Sequence, residues 1–169
     1  MGRCCHDASS RPDGRAGAAN GRLILSLSEA SPQASAPQAS APQAESKLYT
    51  YTPKTGPPVQ LDFPLFAPGK GAKVTKDVFR GYELFNSYCF RCHGTDATGS
   101  QLGPDLRHSV AAGMKQQAFL AVAMAGRTAK GMPAWAGFLS TQEVIQTYRY
   151  TKGRSLDLVP AGRPPSETE

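Results

Sequence analysis

Residues 75–156 predict an all-α domain of three to four short helices joined by Gly/Pro loops, on three observations. Three segments carry apolar residues at helical spacing, no segment sustains the alternation of a strand, and 17 Gly and 14 Pro punctuate the chain. Hydrophobic residues make up 40% and charged residues 19% of the 169, below the usual values of about 45–50% and 25%. The balance suggests ordered and disordered parts in one chain. No apolar run approaches the roughly 18 residues of a membrane helix, which excludes an integral membrane protein.

Residues 1–46 contain four Arg against four Asp and Glu and no aromatic side chain. From Pro32 to Ala44 the unit Pro-Gln-Ala-Ser-Ala occurs twice and begins again, which reads as a disordered tether with nothing to bury. Upstream, Leu23-Ile24-Leu25-Ser26-Leu27 follows several Arg and precedes two Ala-Ser-Ala triplets. That is the order of parts in a secretory signal, here degraded or mis-started. Residues 47–74, with Tyr49, Tyr51, Phe63 and Phe66 between repeated Pro and Gly, read as an extended arm rather than a helix or a paired strand.

In the domain itself, Val78, Phe79, Tyr82, Leu84, Phe85 and Tyr88 give a first apolar helix face running into Cys89. Phe119, Leu120, Val122, Ala123 and Met124 form a second, stopped by Gly126. A third starts at Ser140 with Glu143 three residues on, the capping-box spacing. It presents Val144, Ile145 and Tyr148 and ends before Gly153. Residues 157–169 form a tail. About 80 residues with three short helices make a poor core, and domains that small usually lean on a staple, a metal or a cofactor.

Cysteine usage points to which. Cys4 and Cys5 are adjacent and cannot readily bridge each other. Cys89-Phe90-Arg91-Cys92-His93 has the Cys-x-x-Cys-His spacing of covalent haem attachment. Two thiols about one helical turn apart can add to two vinyl groups on a porphyrin edge, and the adjoining His then supplies a nitrogen to the iron. A structural zinc site would need two further ligands, whereas His6 and His108 are isolated. A redox dithiol would need a βαβ setting. Gly103-Pro104-Asp105-Leu106 follows in a loop, where the Pro104 carbonyl can accept the ring N–H of His93 and orient the imidazole. For the opposite iron face, Met132 lies in the constrained loop Lys130-Gly131-Met132-Pro133-Ala134-Trp135. Met124 reads as core packing, Met114 has no fixing residues around it, His108 follows His93 too closely, and an open position is the remaining alternative. Trp135 and Tyr148 or Tyr150 are candidates for aromatic packing and propionate hydrogen bonds at the haem edge.

In this order, Gly81…Phe85, Cys89–His93, Gly103–Leu106, Gly131-Met132-Pro133 and the helix from Ser140 resemble the class I c-type cytochromes over roughly residues 75–155. The resemblance implies the cytochrome c fold, with first and last helices crossing near Gly81 and one covalent haem held by His93 and Met132 as axial ligands. Gly81-Tyr82-Glu83-Leu84-Phe85-Asn86, Lys152-Gly153-Arg154-Ser155 and the Gly-Arg-Pro-Pro at 162–165 are similar to soluble cytochromes that accept electrons from quinone-dependent (PQQ) methanol and ethanol dehydrogenases. That implies a monomeric periplasmic electron carrier rather than an enzyme, delivering towards an oxidase or second cytochrome and exported before maturation. The rival readings are a haem enzyme or gas sensor with an open distal site, and a haem module of a larger oxidoreductase complex. All of the net charge of +6 lies in residues 47–169. Its basic residues are scattered rather than striped, which argues against nucleic-acid binding. Arg91, Arg127 and Lys130 surround the candidate haem edge.

Overall fold

The structure, a computed structural model, describes residues 47–168. The tether, the export-signal reading, Cys4 and Cys5 lie outside the described residues. Five α-helices dominate: α1 (Lys76–Leu84), α2 (Phe90–His93), α3 (Leu106–Ala111), α4 (Gln116–Ala125) and α5 (Thr141–Ser155). Two three-residue strands, β1 (Tyr49–Tyr51) and β2 (Val59–Leu61), pair antiparallel with Tyr49 opposite Leu61. The arm is therefore a paired hairpin over part of its length, contrary to expectation. Three-residue strands separated by Pro53, Gly56, Pro57 and Pro58 are too short to display an alternation.

Three of the helices, α1, α3 and α5, begin where a side chain satisfies a free backbone N–H group. Thr75 caps α1 by accepting from the Val78 N–H at 3.3 Å, and Asp77 places negative charge in the first turn. Ser140 and Glu143 cap α5 reciprocally, with bonds of 3.2 and 3.0 Å. The last helix runs to Ser155, past the Gly153 expected to end it. Gly153 serves packing instead: a Cβ there would press on Leu65 at 3.2 Å and on the Val159 side chain. Helix α3 was not anticipated. Its six residues are too few to show a period, although Asp105 supplies its cap.

α1 crosses α5 at Gly81. A Cβ at that position would fall on the Gln146 carbonyl oxygen and within 2.5 Å of its carbon, so only glycine allows the approach. Asp77 of α1 accepts from Gln146 at 2.9 Å and pairs with Arg149 of α5. Val78, Leu84, Phe85, Val144 and Tyr150 are buried where the two helices meet, with Leu65 from the arm and Val159 from the tail. The tail returns to the start of α1: Val74 N–H donates to Pro165 O at 2.8 Å, and Glu167 N–H donates to Val74 O at 3.0 Å. Among the described residues no helix is long and apolar enough to cross a membrane.

Candidate haem site

α1 does not stop at Leu84. It passes through a π-helical turn, Phe85–Cys89, and continues as α2. Within that turn Asn86 Nδ2 donates to Tyr82 O and Ser87 Oγ donates to Glu83 O, both at 2.8 Å, taking up carbonyls that a regular ladder would use. This inserted residue sets the rotation at which Cys89, Cys92 and His93 leave the helix. The chain then turns at Gly94, whose φ of 70° is left-handed and whose Cβ would meet the Gly99 carbonyl.

Cys89, Cys92, His93 and Met132 all line one cavity of about 270 Å³. Its remaining walls are mostly apolar, from Leu106, Phe119, Val122, Pro133, Leu139 and Val144 among others. His93 is buried, and its Nδ1 lies 3.0 Å from Pro104 O. A carbonyl only accepts, so Nδ1 carries the proton in this bond and the Nε2 lone pair is left for a ligand. Gly103 makes the contact possible, since a Cβ there would stand 3.1 Å from His93 Nδ1 and 2.8 Å from Cys92 O.

Met132 is held from both sides. Arg127 N–H donates to Met132 O at 2.9 Å and Met132 N–H donates to Arg127 O at 3.2 Å, closing the intervening turn, with Gly131 in the left-handed region. Trp135 N–H and Ala136 N–H then donate to Ala123 O and Met124 O, tying the loop to the end of α4. Gly126 lets the strands of this loop close, because its Cβ would lie 2.5 Å from Ala134 N. Met114 also lines the cavity, whereas Met124 and His108 are not among the lining residues.

Trp135 lines the cavity too, edge-on to Tyr88 with ring centroids 5.6 Å apart. The structure does not bring Tyr148 to the lining. It packs behind the wall against Phe119 and Phe63, with its hydroxyl donating to Met114 O at 3.4 Å. Tyr150, the alternative, is buried on the far side of α5, where its hydroxyl donates to Asp96. Val144 and Thr147 are the α5 residues that face the cavity, and Tyr148 lies one position, about 100°, round the helix from Thr147. Thr147, Ser109 and Tyr88 are lining residues that sequence reasoning missed; the i, i+3 relation of Val144 to Thr147 is the signal that could have found the first.

Burial pushes the Cys89 thiol up to about 12, with the neighbouring Cys92 adding to the rise. A redox dithiol requires the opposite shift. Among the described residues no group of three or more His, Cys, Asp or Glu is arranged to hold a metal ion, so a structural zinc has no ligand set there. Two thiols, an oriented imidazole and a loop-held thioether around one apolar cavity fit covalent haem. Cys89→Ala with Cys92→Ala is accordingly expected to abolish acid-stable attachment. Extraction into acidified acetone checks it: haem that stays with the doubly substituted chain contradicts the assignment.

The family model described as "Cytochrome C oxidase, cbb3-type, subunit III" matches residues 76–150. Cytochrome c-555 of Methylococcus capsulatus is 36% identical over 98 residues, 57% of this chain and 77% of that protein. The quinohemoprotein alcohol dehydrogenase ADH-IIG of Pseudomonas putida is 34% identical over 84 residues, 50% of this chain but only 11% of the dehydrogenase. The crystal structure of the c-type cytochrome XoxG from Methylobacterium extorquens AM1 aligns with a TM-score of 0.49 at 22% identity, over 54% of this chain and 58% of that one.

Proposed function

The chain belongs to the c-type cytochrome family, and we propose that it carries single electrons from a quinone-dependent (PQQ) alcohol dehydrogenase towards an oxidase or second cytochrome in the periplasm. The observation that carries this reading is the convergence of Cys89, Cys92, His93 and Met132 on one apolar cavity. The relation to part of a quinohemoprotein alcohol dehydrogenase supports the choice of donor.

Haem, when bound, supplies a one-electron ferric–ferrous couple. The chain's own contribution is to attach, orient and shield it. Cys89 and Cys92 provide the thioether links. His93, with Nδ1 engaged by Pro104, presents Nε2 in one orientation. Met132, on a loop closed by two backbone bonds, presents a neutral sulfur with little freedom to move. A ligand pair that stays in place leaves little to reorganise on electron transfer. The similarity to cytochrome c-555 supports the reading of a carrier rather than a catalyst. The relation to a short segment of a much larger dehydrogenase also favours a second reading, a haem module working within a larger complex. Co-purification of the native protein with a dehydrogenase or oxidase as a stable assembly supports that one.

Residues 47–169 hold 15 Lys and Arg against 9 Asp and Glu. Arg127 and Lys130 are exposed at the cavity beside Met132, and Arg91 is exposed within the attachment motif. Such a basic rim steers an acidic partner and raises encounter rate more than affinity. Reduction by the donor is expected to slow as ionic strength rises from about 0.01 to 0.15 M, where the Debye length falls from roughly 30 to 8 Å. Arg127→Glu with Lys130→Glu slows it further at low salt and leaves the absorption spectrum intact. Stopped-flow reduction by a purified PQQ alcohol dehydrogenase checks both, and a rate indifferent to salt and to charge reversal removes the rim from the docking step.

A further inference from the structure

We propose that Asp105 is a positioning residue for the proximal ligand, holding the Pro104 carbonyl on His93 Nδ1 by capping α3. The Pro104 carbonyl and the Asp105 N–H belong to one rigid peptide plane, so whatever fixes Asp105 fixes the direction of that carbonyl. Asp105 is anchored on both sides of this plane.

On its C-terminal side, Asp105 Oδ1 accepts from the His108 N–H at 3.1 Å, and its backbone carbonyl accepts from the Ser109 N–H and the Ser109 hydroxyl, each at 3.2 Å. Its φ of −63° and ψ of 108° are those of an N-cap residue turning an extended loop into a helix. On its N-terminal side, the loop Gly99–Pro104 folds back over the attachment motif. Gly99 N–H donates to His93 O at 2.7 Å, Ser100 N–H donates to Gly103 O at 2.9 Å, and Ser100 Oγ donates to Cys92 O at 2.5 Å. Gly99 lies so close beneath Asp105 that a Cβ there would be 2.7 Å from Asp105 N. The Pro104–Asp105 peptide is thus held between a loop bonded to the motif and a cap bonded to α3. Arg107 reaches the same carboxylate, with Nε 3.3 Å from Oδ1 and a terminal nitrogen 2.9 Å from Oδ2. That pair is partly exposed and adds little. The cap is the element that acts on His93.

The proposal rests on His93 as the iron ligand. It is tested in the haem-loaded full chain by two readouts that involve no partner: solvent exchange of the His93 ring N–H, followed by NMR in the reduced state, and the reduction potential. Asp105→Ala removes the acceptor and is expected to speed ring-proton exchange on the order of fivefold or more, as the loss of a cap opens the first turn. The potential is expected to rise, because an imidazole with a weaker hydrogen bond is less basic and favours the oxidised iron less. Asp105→Asn, which caps as well as Asp, is expected to restore both readouts, and Arg107→Ala to leave both unchanged. Where Asp105→Ala yields too little mature protein, Asp105→Gly removes the same acceptor while remaining acceptable at an N-cap, and it is expected to shift both readouts in the same direction. Unchanged exchange and potential in the Ala or Gly variant overturn the proposal. So does an Asn variant as perturbed as Ala, which assigns the effect to the Arg107 pair. Neither result bears on which donor reduces the protein, so a wrong donor and a wrong positioning residue are told apart.

Discussion

Gly81→Ala is expected to destabilise the folded, haem-loaded protein by about 2 kcal/mol. Two effects oppose each other. Alanine favours a helix interior over glycine by about 1 kcal/mol. Against this, the added methyl would fall on the Gln146 carbonyl and lie 3.0 Å from the Tyr150 Cβ. Both obstacles are main chain or rigidly attached to it, so neither can rotate aside, and α1 and α5 must separate. Separation would loosen the bonds from Asp77 to Gln146 and Arg149 and open the contact of Phe85 with Tyr150, whose ring centroids are 5.7 Å apart. Overpacking of well-packed cores costs about 1–3 kcal/mol, at the upper end or beyond where backbone must move, and the helix-propensity gain offsets part of that. Set against total stabilities of about 5–15 kcal/mol, a net loss of about 2 kcal/mol is a large share of what keeps the domain folded. Denaturant melts of whatever matures, together with haem content per chain, measure it. A loss under about 1 kcal/mol would mean that the helix crossing is more compliant than its geometry indicates.

The crossing itself entered only through the resemblance to class I c-type cytochromes, whereas the helices that make it were legible because their signals were local and redundant. Ser140 with Glu143, the apolar spacing from Val78 to Tyr88, and Gly126 after Met124 each announce an element from within itself. The Cys89–His93 motif was legible because its spacing is short-range in sequence, while Pro104 and Met132 stood out by their Gly/Pro-constrained loops, which the structure places at the same cavity. What escaped depends on partners far along the chain. The pairing of Tyr49–Tyr51 with Val59–Leu61 is fixed by the burial of Leu61 and Phe63, not by any alternation within three residues. Gly153 resembled a helix stop, but the space it leaves is filled by Val159 and Leu65. Tyr148 has the right chemistry for a cofactor edge, and only the rotation of α5 shows that Thr147 occupies that direction. Asp96 offers no sequence signal for its left-handed φ of 56°, which is sustained by bonds from the Tyr150 hydroxyl and the Gly162 N–H.

Met132→Ala is expected to remove the weak red absorption band of an iron–thioether bond, lower the reduction potential and admit carbon monoxide. The covalent haem itself should remain, since Cys89, Cys92 and His93 are untouched. A neutral sulfur donor favours the reduced iron, so its loss moves the potential down. Three methionines stand close enough in sequence to compete, and the structure separates them. Met124 packs against the core without reaching the cavity lining. Met124→Ala is expected to cost about 2 kcal/mol of packing and leave the spectrum and potential in place. Met114 does line the cavity, but its carbonyl is engaged by Tyr148 in the turn between α3 and α4, and no closed loop presents its sulfur. Met132 alone of the three lies in a loop pinned by paired backbone bonds to Arg127 and tied through Trp135 to the end of α4. That preorganisation spares the ligand the conformational entropy of finding the iron. Absorption spectra of the three variants, oxidised, reduced and under carbon monoxide, decide between them. A red band that survives in Met132→Ala and disappears in Met114→Leu or Met124→Ala transfers the ligand to that residue. A band already absent from the unsubstituted protein, together with carbon monoxide binding to its reduced form, puts the open distal site, and with it the enzyme or gas-sensor reading, in first place.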